Sequence, residues 1–136
     1  MGSIRDVMTS NPTTCEASAT VADAARVMAQ EDVGPVPVVE GGRVVGIVTD
    51  RDIVLRVVAE GRDASSTTLG EIVSGDLVTV QPDTELSEAL ELMSDNQVRR
   101  LPVVEGDQLV GIVAVADVAR AAEEEQTGEV VQQISQ

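Results

Sequence analysis

The 136-residue chain has no Phe, Tyr or Trp, no His and no Lys, and its one cysteine is Cys15. Each absence excludes something. Without aromatic rings there is no platform on which bases could stack, and a core must be built from Val, Ile, Leu, Met and Ala, which suits buried strands. Without histidine and with a single thiol, the usual zinc ligand set is missing, and with carboxylates mostly on helical faces acid–base or nucleophilic machinery is hard to assemble. The chain therefore reads as a non-enzyme with no resident cofactor or metal. One cysteine also forbids an intramolecular disulfide.

No apolar run approaches the roughly 18 residues of a membrane span, and no basic-apolar leader or lipidation motif is present. The expectation is a cytoplasmic protein with no membrane partner.

Against nine basic residues, all arginine, stand 24 acidic ones, for a formal charge of −15. Phosphate backbones are bound by basic patches, so nucleic acid is not expected as a partner. Acidity without lysine fits a salt-rich, halophilic cytosol, where repulsion between carboxylates is screened. GC-rich codon usage, which favours Arg over Lys, explains the same composition.

What the chain does contain is a copy of itself. A shift of 65 aligns residues 6–56 with 71–121 without a gap, and 14 of those 51 positions are identical. "VPVVEG" at 36–41 lies over "LPVVEG" at 101–106, and "GIVTDRD" at 46–52 lies over "GIVAVAD" at 111–117. Two copies are fewer than a solenoid needs, so a two-lobed, pseudo-symmetric domain is expected.

Each copy reads as strand, helix, strand, strand, helix. Thr20 with Asp23 forms a capping box, and Val21, Ala24, Ala25 and Met28 supply an apolar stripe, repeated by Leu86, Ala89, Leu90 and Met93. Glycine-bearing turns at Glu40-Gly41-Gly42 and Glu105-Gly106-Asp107 join the two strands of each hairpin. The closing helices are expected over about 50–60, ended by Gly61, and from about Val115 into Glu123-Glu124-Glu125, where acidic residues oppose the macrodipole and fraying follows. The expected boundaries are a first motif over 4–62, a polar linker over 63–70, a second motif over 71–124 and a polar tail without fixed structure over 125–136.

Thr49 and Asp52 also have capping-box spacing, which by itself needs no ligand. The same place can serve chemistry, because a strand feeding a helix N-terminus presents free amides to an anion. There an acidic residue can hold ribose hydroxyls, as in dinucleotide folds. Arg99 and Arg100 precede an apolar strand, and a guanidinium fork matches phosphate oxygens; alternatively they are solvated, or paired with carboxylates. Gly34 and Pro35 occupy their positions in the first copy, without charge.

The duplicated β-α-β-β-α pattern, with "hPVV…G-h-h-x-x-x-D" in both copies, resembles a tandem pair of CBS domains, a Bateman module, over roughly 4–121. "GIVTDRDIVLRVVAEG" and "QVRRLPVV" resemble stand-alone prokaryotic proteins made of little beyond one such pair. The resemblance implies an α/β chain of α+β type, with two pseudo-symmetric motifs packed sheet to sheet, and a homodimer. It further implies a regulatory role: binding AMP, ADP or ATP, with Mg²⁺ as an optional companion, and acting as an energy or stress sensor through an unknown protein in trans. S-adenosylmethionine, NAD, or no ligand at all, in a module serving only interaction, are the alternatives.

Carried over by position, the resemblance assigns a preferred site to Ile47, Thr49, Asp52, Val78, Arg99 and Arg100. There Asp52 holds the ribose, Thr49 the phosphate-ribose side, Val78 the adenine through its backbone, and the arginines the phosphate. A weaker site falls to Thr13, Pro35 and Asp117, because Ala114 stands where the signature has Thr or Ser.

Overall fold

A computed structural model describes residues 2–73 and 77–135, with side chains through Glu125. In chain order its elements are a 3₁₀ turn (Ile4–Asp6), β1 (Thr9–Ser10), β2 (Cys15–Glu16), α1 (Val21–Glu31), β3 (Pro35–Glu40), β4 (Arg43–Thr49) and α2 (Asp50–Ile53), which runs on into a π-helical turn (Val54–Val58). After these come α3 (Leu69–Ile72), α4 (Leu86–Asn96), β5 (Arg100–Glu105), β6 (Gln108–Ala114) and α5 (Val115–Ser135). The expected mixed fold of two repeated motifs is observed.

The chain divides into two compact units. The copy-one unit is Asn11–Leu77 with Asp107–Leu109; the copy-two unit is Met1–Ser10, Val78–Gly106 and Val110–Gln136. In the copy-one unit the sheet order is β2-β3-β4, with β2 parallel and β4 antiparallel to β3. Gly41 and Gly42 both take positive φ in the hairpin turn, a conformation that suits the strand twist and that side chains resist. In the copy-two unit the order is β1-β6-β5, and Val80 bridges Val103 in parallel, matching the Cys15–Val38 pair 65 residues earlier.

Both cores are aliphatic. Val21, Ala24, Val36, Val38 and Val48 are buried in one, and Leu86, Ala89, Met93, Leu101 and Val103 in the other. Thr20 and Asp23 form the expected capping box, with Asp23 N–H donating to Thr20 Oγ1 at 3.2 Å and Thr20 N–H to Asp23 Oδ2 at 3.1 Å. On α1, however, Ala25 is exposed, and Val27 packs inward beside Met28.

Three features depart from the expected boundaries. First, the stretch read as a polar linker ends in α3, with Leu69 fully buried in the copy-one core and Thr67 buried with its hydroxyl donating to the Asp63 carbonyl. Second, the segments that lead into the two copies are exchanged. Ile4 is buried in the copy-two core, and its amide donates to Thr84 O while that of Arg5 donates to Pro82 O. The amides of Leu69 and Gly70 make the same bonds, 65 residues on, to Ala19 O and Ala17 O in the copy-one unit. Each lead-in thus completes the unit built from the other copy's hairpin. Third, α5 runs to Ser135 instead of stopping in the Glu123–Glu125 run, so the tail is helical. No proline interrupts that stretch, and an unfavourable terminal dipole contribution of about 0.3–1 kcal/mol does not by itself end a helix.

The exchange explains why glycine opens both repeated segments. A Cβ on Gly111 would lie 2.9 Å from Thr9 O and 2.7 Å from Met8 Sδ, and one on Gly46 would lie 3.1 Å from Val73 Cβ. The incoming lead-in crosses the hairpin at that point, and the sheet can accept it only where no side chain intervenes.

Candidate functional site

In the copy-one unit β4 delivers Thr49 directly to the start of α2. Asp52 N–H donates to Thr49 Oγ1 at 3.1 Å, and Thr49 N–H donates to Asp52 Oδ2 at 2.9 Å, so the capping box is formed in full. Both residues are half-buried, and among the described residues Asp52 Oδ1 has no protein hydrogen bond. That oxygen is an acceptor without a protein donor among the described residues.

The helix start does not offer the free amides that the sequence suggested. Asp50 N–H donates to Gly34 O, Arg51 N–H to Asp50 Oδ1 and Asp52 N–H to Thr49 Oγ1. With these donors spent and the carboxylates of Asp50 and Asp52 in the first turn, the Asp50, Arg51 and Asp52 amides are not free for a phosphate, while the carboxylates can accept from hydroxyls. Ile47 and Pro35 belong to the same unit: Pro35 is the cross-strand partner of Thr49, and Ile47 faces Pro37. Thr13 is exposed and donates its hydroxyl to Glu31 at 3.0 Å, so it has a structural partner.

Val78, Arg99, Arg100 and Asp117 lie in the copy-two unit. There the Arg99 carbonyl accepts from Val115 N–H at 2.8 Å, so the arginine pair adjoins the start of α5. The matching bond in copy one joins Gly34 to Asp50. Among the described residues Arg51, Arg56, Arg99 and Arg100 form no ion pair, whereas Arg5, Arg26, Arg43, Arg62 and Arg120 all do. Pairing with carboxylates therefore does not account for Arg99 and Arg100. Asp117 lies 3.5 Å from Arg120, a partner that Asp52 lacks because Leu55 occupies the matching position. Val78 is half-buried against the copy-two core.

None of these residues lines the cavity of about 470 Å³ in the copy-two unit, whose walls include Thr79, Gln81, Asp83, Thr84 and Glu88. Its acidic lining repels phosphate. Among the described residues no three His, Cys, Asp or Glu side chains gather to hold a metal, and no helix is long and apolar enough to cross a membrane.

A model of the CBS domain matches residues 4–59 and again 69–124, together most of the chain. The chain belongs to the CBS domain family. It is 45% identical over 119 residues to the CBS domain-containing protein YhcV of Bacillus subtilis, covering 88% of this chain and 84% of that one. It is 37% identical over 121 residues to Hypoxic response protein 1 of Mycobacterium tuberculosis, covering 88% and 85%. The crystal structure of Hypoxic Response Protein I, with two coordinated zinc ions, superposes with a TM-score of 0.79 at 37% identity over 88% of this chain and 98% of that one. A CBS domain pair in complex with 5-methylthioadenosine and S-adenosyl-L-methionine superposes with a TM-score of 0.80, over 92% and 98% of the two chains, at 24% identity, a likeness of fold.

One arginine escaped the sequence reading. Arg56 lies on the π-helical turn after α2, and its guanidinium donates to the carbonyl of Ile72 at the end of α3. The sequence signal is weak: its 65-residue counterpart, Ala121, is uncharged, but so are Gln108 and Ala116, the counterparts of Arg43 and Arg51.

Proposed function

We infer that this CBS pair is a regulatory module that binds an adenosine nucleotide of the AMP, ADP or ATP kind. It acts as a cytoplasmic energy or stress sensor through a partner protein in trans, without catalysing a reaction. The observation that carries the reading is the pair Arg99 and Arg100, left without carboxylate partners in a chain of charge −15. Guanidinium groups without an ion-pair partner in so acidic a protein suit an anionic ligand. Asp52 Oδ1 suits ribose hydroxyls, and Thr49, Ile47 and Val78 complete the preferred site by position in the family motif. The adenosyl ligands of the CBS pair with the similar fold are consistent with this ligand class. The arginines argue for a phosphate over S-adenosylmethionine, whose sulfonium is itself a cation.

In the weaker site, Thr13, Pro35 and Asp117, the Ala114 position offers no hydroxyl and Asp117 has Arg120 beside it. Two unequal affinities follow, or one site filled at ordinary concentrations.

The test uses the absence of Trp and Tyr. The purified protein is nearly transparent at 280 nm, so a 260 nm peak reports bound nucleotide, and calorimetry with AMP, ADP, ATP and S-adenosylmethionine, with and without Mg²⁺, ranks the ligands. No 260 nm absorbance and no heat from any of them refutes the reading. One observation favours an interaction role beside it: Val54, Leu55 and Val58 are 55%, 48% and 65% exposed on one helical segment. Covering them in a homodimer would remove that apolar surface from water.

A further inference from the structure

The joint between α2 and α3 lies wholly inside the copy-one unit and is made from two sides. Arg56 donates from the π-helical turn to Ile72 O, and Val73, the next residue, rests on Gly46 of β4, whose absent Cβ leaves 3.1 Å to Val73 Cβ. Gly46 and Arg56 bracket Thr49 and Asp52 along the chain. The end of α3 is therefore gripped by the residues before and after the capping box. Arg62 adds an ion pair to Glu71 at 3.0 Å.

The second copy keeps the glycine side of this grip at Gly111 but lacks the arginine side. The residue matching Arg56 is Ala121, and the one matching Ile72 is Val7. A hydrogen bond from a charged guanidinium to the last carbonyls of a helix is favoured by the helix dipole and fixes the angle at which two elements meet.

We propose that Arg56 is a positioning residue that couples the Thr49–Asp52 junction to α3, so that a ligand held by Asp52 orders the end of α3. The inference rests on the ligand reading of Thr49 and Asp52. Coupling is reciprocal: what a ligand does to α3 through Arg56, loosening α3 must do to the ligand.

The experiment combines hydrogen-exchange mass spectrometry of the peptide covering 69–73 with AMP calorimetry, on the full chain and its Arg56→Ala and Arg56→Lys variants. In the unsubstituted protein AMP slows exchange at 69–73. In Arg56→Ala the affinity for AMP falls by about three- to tenfold; at saturating AMP the peptide covering 49–53 is still protected, but 69–73 is not. Arg56→Lys restores part of both. A purely structural role would speed exchange at 69–73 equally with and without AMP, leaving the ligand-dependent ratio intact, and that result overturns the proposal. So does unchanged affinity with unchanged protection. If AMP and the other nucleotides fail to bind the unsubstituted protein, the ligand reading falls and the coupling with it. The unliganded comparison then judges the clamp separately, and unchanged exchange in Arg56→Ala rejects that too.

Discussion

Replacing Thr49 by alanine reproduces in copy one what Ala114 already is in copy two. The substitution removes the oxygen that accepts from Asp52 N–H at 3.1 Å while leaving the 2.9 Å bond from Thr49 N–H to the Asp52 carboxylate. Loss of such an N-cap costs about 1 kcal/mol. For a chain of this size that corresponds to a fall in Tm of roughly 3–5 °C. If Thr49 also bonds the phosphate-ribose side of a ligand, affinity drops by about tenfold or more, the equivalent of one charge-assisted hydrogen bond. The reverse change, Ala114→Thr, supplies a hydroxyl three residues before Asp117. The cap gained, about 1 kcal/mol, outweighs an exposed Asp117–Arg120 pair worth about 0.3–0.5 kcal/mol, so stability should rise. With no aromatic residue the transitions must be followed by circular dichroism, in heat and in urea, and affinities by calorimetry. If Thr49→Ala leaves Tm unchanged, or Ala114→Thr lowers it, the capping argument is wrong. If Thr49→Ala loses stability but binds nucleotide normally, the cap stands and the ligand role of Thr49 does not.

Three further outcomes follow from the same geometry. Gly111→Ala should destabilise by about 1–3 kcal/mol and more than Gly46→Ala, because its Cβ meets the Thr9 carbonyl where that of Gly46 meets only the Val73 side chain; equal urea midpoints would contradict this. Asp52→Asn should weaken nucleotide binding at the preferred site far more than Asp117→Asn does, and normal calorimetric binding by Asp52→Asn would reject the site assignment. The third concerns acid. The backbone amides of Thr20 and Thr68 hold the Asp23 and Glu71 carboxyls below their ordinary values of 3.8 and 4.5. Depressed folded-state values stabilise above the unfolded ones and lose that effect as pH falls through the folded ones. Titration downward from about pH 5 should therefore show a loss of stability that is smaller in the double variant Asp23→Asn, Glu71→Gln, and an identical pH profile in that variant would exclude these two carboxylates.

Much of the site could be read directly. Thr49 and Asp52 are three residues apart, and a capping box is a local structure, so spacing alone predicted both hydrogen bonds. The occupation of the Asp50 amide was not legible, because its acceptor, Gly34 O, comes from another strand. Arg99 and Arg100 were visible as a pair, but whether carboxylates neutralise them depends on which of 24 acidic residues folding brings near. Arg56 was overlooked for the same reason: its partner is a backbone carbonyl sixteen residues away, which carries no mark in the sequence.

The sequence by itself determined the duplication, the elements of each copy, the glycine turns and the inequality of Thr49 and Ala114, all of which depend on residues close together in the chain or on a constant offset of 65. Only the tertiary structure decided which unit each lead-in completes. Ile4 and Leu69 are interchangeable aliphatic residues on segments of one turn, and either hairpin would bury either of them at similar gain. The choice depends on the path of the chain and on close approach at Gly46 and Gly111, which exist only once the strands are assembled.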